Sequence, residues 1–145
     1  MKKLLIILLI GGLSACSDIE NCDTNDEQDF MILRFFDLET QTTKEVGFTI
    51  TGSDTPFQFE PTTDFSAIGL PLNPSASSTG FVFTSDTSNF ELVISYDLEL
   101  SIFDDACDPS FVFSNLDTVS YTFDSLSIPG TITNRQLETN VEVFF

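Results

Sequence analysis

Residues 92–102 read Leu-Val-Ile-Ser-Tyr-Asp-Leu-Glu-Leu-Ser-Ile, an alternation that keeps its phase throughout. Leu92, Ile94, Tyr96, Leu98, Leu100 and Ile102 fall on one side, while Glu91, Val93, Ser95, Asp97, Glu99 and Ser101 fall on the other. Side chains of a strand point to opposite faces in turn, whereas a helix brings together residues three and four apart. Such a run gives a helix no apolar stripe. It predicts a long antiparallel strand with one face buried and the other largely wet.

The same period recurs in shorter runs at residues 30–36, 45–50, 67–70, 80–84, 111–114, 120–128 and 140–145. The run at 120–128 changes phase between Phe123 and Leu126, which predicts a bulge. Turn formers separate the runs, at Gly52-Ser53-Asp54, Asn73-Pro74, residues 86–89, Asp108-Pro109 and Pro129-Gly130. About eight strands so punctuated predict an all-β domain over residues 30–145, an antiparallel β-sandwich with a small β-barrel as the alternative. Sixteen phenylalanines can fill its core without the buried hydrogen-bond acceptor that tryptophan requires. Phe145, at the end of the last run, is expected in that core.

Residues 1–29 follow a different logic. Lys2 and Lys3 precede an apolar run from residue 4 to residue 10, followed by small residues and Leu13-Ser14-Ala15-Cys16. A membrane-spanning helix needs about 20 apolar residues, so this run is too short to cross a bilayer. The order charged, apolar, small is that of a secretory signal, here residues 1–15, ending in a lipoprotein box. Cys16 is then the lipidation site, taking a diacylglyceryl group on its thiol and a further chain such as palmitate on its amine. One acyl chain binds membranes marginally, and several anchor a protein stably. Residues 16–29 are polar and acidic and read as a lipidated tether.

Cleavage before Cys16 leaves three basic side chains, Arg34, Lys44 and Arg135, against 23 carboxylates, a formal charge of −20. That charge repels phosphate backbones, which argues against nucleic acid as a partner, and it repels anionic head groups as well. Membrane contact is expected through the lipid.

In an oxidising envelope compartment Cys22 and Cys107 are placed to form a disulfide, the alternative being two free or intermolecularly paired thiols. The bond would close a loop of about 85 residues, worth about 4.5 kcal/mol from chain entropy. It would also draw Asp23, Asn25, Glu27 and Asp29 toward Asp104, Asp105 and Asp108. Hard oxygen ligands of this kind suit calcium, but the turn glycine and distal glutamate of an EF-hand are missing, and a solvated acidic rim explains the same residues. No cofactor is expected.

Catalytic chemistry has little to build on. The chain has no histidine to act as a base and no Gly-x-Ser-x-Gly turn. Paired carboxylates could support glycoside hydrolysis, yet so many acids give such pairs by chance.

Several segments together resemble a family of small Bacteroidetes lipoproteins of unknown function. They are Cys22 ahead of Ile32-x-Arg34-Phe35, then Leu70-Pro71-Leu72-Asn73, then Leu92-x-Ile94-x-Tyr96 leading to Cys107, and the closing Asn140-Val141-Glu142-Val143-Phe144-Phe145. In that family the second cysteine is usually followed by glycine, and here Asp108 stands in its place. Ser17-Asp18-Ile19-Glu20 resembles the acidic signal that sends some lipoproteins of these bacteria to the cell surface, while Asp18 would mean inner-membrane retention under enterobacterial rules. The resemblance implies the outer membrane, with the leaflet open, and brings no active site. The expected function is non-enzymatic, in envelope structure or in binding an envelope protein partner. The alternatives are a glycan-binding module, calcium-dependent or not, working with an uptake system, and a hydrolase built on carboxylates.

Overall fold

A computed structural model describes residues 30–101, 110–133 and 138–145. These residues form nine strands: β1 (Phe30–Phe36), β2 (Thr49–Gly52), β3 (Gln58–Phe59), β4 (Ala67–Pro71), β5 (Ser78–Thr84), β6 (Asn89–Ser101), β7 (Ser110–Tyr121), β8 (Ser125–Ser127) and β9 (Val141–Phe144). They pair into a four-stranded sheet, order β4-β1-β9-β8, and a five-stranded sheet, order β3-β2-β5-β6-β7. The fold is an all-β sandwich, and the two sheets do not close into a barrel.

Alternation becomes burial where the two sheets face each other. Met31, Leu33 and Phe35 of β1 meet Phe81 and Phe83 of β5 and Leu92 and Ile94 of β6, all of them excluded from solvent. Phe35 lies at the centre, its ring 5.7 Å from Phe48, 5.8 Å from Phe65 and 6.2 Å from Phe83. Tilted and edge-on pairs at such separations add about 0.5–1.5 kcal/mol each beyond the area they bury. Phe145 packs on Phe35, Phe48, Phe90 and Phe123, as expected of a residue at the core.

Pairing departs from the sequence reading in several places. The sandwich is not purely antiparallel, because β9 lies parallel to β1, Leu33 opposite Val141 through Phe36 opposite Phe144. The run at 45–50 breaks in two: Val46 bridges Phe65, whereas β2 starts only at Thr49 and pairs with β5. β7 is far longer than residues 111–114. Its register against β6 shifts twice, once around Asn115 and Leu116, with Asn115 at φ 52°, and once at Val119. These bulges break the period and hide the strand. The phase change expected to be a bulge at 123–126 is a crossing between sheets, with Phe123 buried there and stacked on Phe90 at 4.8 Å. The two-residue β3 has no counterpart among the expected runs.

The face of β6 also changes along its length. Leu92, Ile94 and Tyr96 are buried as expected, but Leu98 is 38% exposed and Leu100 60%. Over the same stretch β6 also loses a neighbour: β5 reaches only to Ser78, opposite Ser95, and among the described residues β6 beyond that point pairs with β7 alone, the two continuing as a two-stranded ribbon.

Candidate functional site

The residues expected to carry chemistry lie outside the described residues: Cys16, Cys22, Asp23, Asn25, Glu27 and Asp29 before β1, and Asp104, Asp105, Cys107 and Asp108 between β6 and β7. The described strands fix where their flanks are anchored. Phe30 pairs with Pro71 at one end of the four-stranded sheet. Two residues on, Asn73 is bonded to Tyr96 and Thr79. Tyr96 stands next to Ser95, where the ribbon begins. The start of β1 and the ribbon are therefore at the same end of the sandwich.

That end is held by a closed ring of hydrogen bonds. The Tyr96 hydroxyl donates to the Asn73 carbonyl at 2.8 Å. Its one proton being used there, it accepts from Thr79 Oγ1 at 2.7 Å, and Thr79 Oγ1 in turn accepts from the Asn73 amide at 2.9 Å. Thr79 is excluded from solvent, and its sequence position shows why: it is in phase with Phe81 and Phe83, so the alternation of β5 carries it into the core. The Tyr96 ring also meets Phe113 edge-on at 5.0 Å.

Asn140 is a second buried polar anchor, and sequence reading gave it no role. Its Oδ1 accepts the Ile32 amide at 2.8 Å, its own amide donates to the Ile32 carbonyl at 2.9 Å, and its Nδ2 donates to the Ile132 carbonyl at 2.9 Å. A polar residue opening an apolar terminal strand was the available signal. Thr133 performs a similar task at the edge of β7, where its amide donates to the Phe113 carbonyl and its Oγ1 accepts the Phe113 amide.

Among the described residues the charged side chains are peripheral. Asp37 Oδ1 accepts from the Thr40 amide at 2.9 Å, the Thr40 hydroxyl at 3.0 Å and the Glu39 amide at 3.1 Å. The Thr40 amide and hydroxyl, more than the positive charge of Lys44, hold its carboxyl below the ordinary aspartate value. Lys44 lies 3.8 Å from Asp37, donates to the Phe145 carbonyl and sits 4.3 Å from the centre of the Phe145 ring. Among the described residues no three His, Cys, Asp or Glu side chains are grouped to hold a metal ion.

The ribbon is the candidate surface that the described residues offer. One face carries Leu98, Leu100 and Phe111, all exposed, and the other carries the exposed Asp97 and Glu99. Leu98 stands opposite the buried Phe113, and Leu100 opposite Phe111. The chain matches no family model, no curated protein and no solved structure.

Proposed function

We propose that this chain is a non-enzymatic lipoprotein, anchored in the outer membrane through Cys16, whose sandwich serves the envelope by binding a partner protein. The observation that carries the reading is Leu13-Ser14-Ala15-Cys16 behind Lys2-Lys3 and a short apolar run. The fold supports it in two ways. Thr79, Thr133 and Asn140, the buried polar side chains of the described core, are all engaged in hydrogen bonds that hold strands and loops together. Among the described residues Thr55 Oγ1 is the one buried side-chain polar atom without a hydrogen-bond partner, and the ribbon exposes the apolar side chains of Leu98, Leu100 and Phe111. With no histidine in the chain, a serine or cysteine nucleophile lacks its usual base.

Replacing Cys16 by serine tests the anchor. The variant is expected to leave the membrane fraction or accumulate as precursor, and to lose palmitate labelling. Unchanged labelling would overturn the assignment. Cross-linking in intact cells followed by pull-down tests the partner: an envelope protein is expected, and recovery of none removes that half of the reading.

A further inference from the structure

Among the described residues, the ribbon formed by residues 97–100 of β6 with β7 has an unpaired side as well as an exposed face. Tyr96 donates its amide to the Ser77 carbonyl, away from β7. Main-chain groups alternate in direction along a strand, so those of Leu98 and Leu100 point the same way. The partner strand agrees: Phe113, opposite Leu98, directs its amide and carbonyl outward to Thr133, which makes Leu98–Phe113 a pair that exchanges no hydrogen bonds. The amides and carbonyls of Leu98 and Leu100 therefore line the edge that β5 vacates at Ser78.

From this edge we propose that β6 takes up an extended segment of a partner protein in which apolar and basic residues alternate. This deepens the partner-binding reading above and rests on it. A strand added here ladders onto the main chain of Leu98 and Leu100. Its residues opposite the two leucines share their face and cover the apolar strip that continues to Phe111. Its intervening residues fall on the face of Asp97 and Glu99, where lysine or arginine meets carboxylates. Asp97 is already oriented, by a hydrogen bond from Asn115 Nδ2 at 2.8 Å. Asp117, opposite Ser95, is exposed and adds to the negative field. Arg34, on β1, and Lys44, beside Phe145, belong to other parts of the molecule. Charge also selects against other occupants. A second copy brings the same carboxylates and the same net charge of −18, and an anionic bilayer is repelled in the same way.

The test uses the full chain in detergent and three labelled peptides of eight residues. One alternates valine and lysine, one alternates valine and glutamate, and one is the valine–lysine peptide N-methylated on every residue so that neither of its edges can form the ladder. The valine–lysine peptide is expected to bind saturably and to slow amide exchange at Leu98 and Leu100 by roughly tenfold, with the N-methylated form weaker by roughly tenfold. The glutamate peptide is expected not to bind. The edge assignment is overturned by absence of valine–lysine binding, by equal affinity for the N-methylated peptide, or by binding without protection at Leu98 and Leu100. Full protection of these two amides before any peptide is added also overturns it, since the edge would then be filled by the chain itself. Cross-linking in cells is read independently: failure there removes the partner reading even if the peptide binds, and a partner recovered there does not rescue an edge that binds no peptide.

Discussion

Single residues decide how the loops are held to the sheets. Asn140, itself buried, satisfies a β1 amide and the Ile132 carbonyl through part-buried hydrogen bonds. Asn140→Ala removes the Ile32 amide's side-chain acceptor and is expected to cost about 1–3 kcal/mol in urea unfolding. Asn140→Asp is not a rescue, because a carboxylate can accept from Ile32 but cannot donate to Ile132. Asp37 shows the opposite case, an exposed group with a clear sign. Its folded-state carboxyl is held below the ordinary value by the Thr40 amide and hydroxyl. A depressed folded pKa stabilises the fold above the unfolded value, about 3.9, and that contribution is lost as pH falls through the folded value. Asp37→Asn is expected to melt lower than the parent at pH 7, with the difference shrinking as pH falls through the folded value, measured by thermal denaturation across pH.

Elements show how one sequence pattern meets two environments. Ile94 and Leu100 occupy the same phase of β6, but Ile94 is fully buried and Leu100 is 60% exposed. Ile94→Ala is expected to cost about 2–5 kcal/mol, and Leu100→Thr to stay within about 0.5 kcal/mol, both by denaturant unfolding. Equal losses would mean that the ribbon is packed like the body. The same contrast explains why β6 and β1 were legible and β7 was not. In β1 the alternation of buried Met31, Leu33 and Phe35 runs unbroken. In β7 two extra residues on one strand oppose single residues of β6 around Asn115 and Val119, and each shifts the side chains by one face.

At the scale of the molecule, the start of β1 and the ribbon share one end of the sandwich, which gives the expected Cys22–Cys107 bond a physical setting. Cys22 is eight residues before Phe30 and Cys107 three before Ser110; at about 3.3 Å per residue those stretches reach roughly 26 Å and 10 Å. Cys22→Ser and Cys107→Ser are expected to lower the melting temperature equally, with the double variant no worse than either single one. Additive losses would show that the two thiols are not partners.

The sequence alone determined what local physics governs: the two-residue period that makes strands, the turn formers between them, and the charged-apolar-small order that ends at Cys16. Tertiary structure decided what depends on neighbours. The parallel seat of β9 beside β1, the crossing at Phe123 and the point along β6 where burial stops depend on which strands lie alongside and on what the facing sheet covers. Alternation tells a strand that it has two faces. Whether a face is covered depends on the sheet across from it, and whether an edge is paired depends on the strand beside it, which for β6 reaches only to Ser78 of β5.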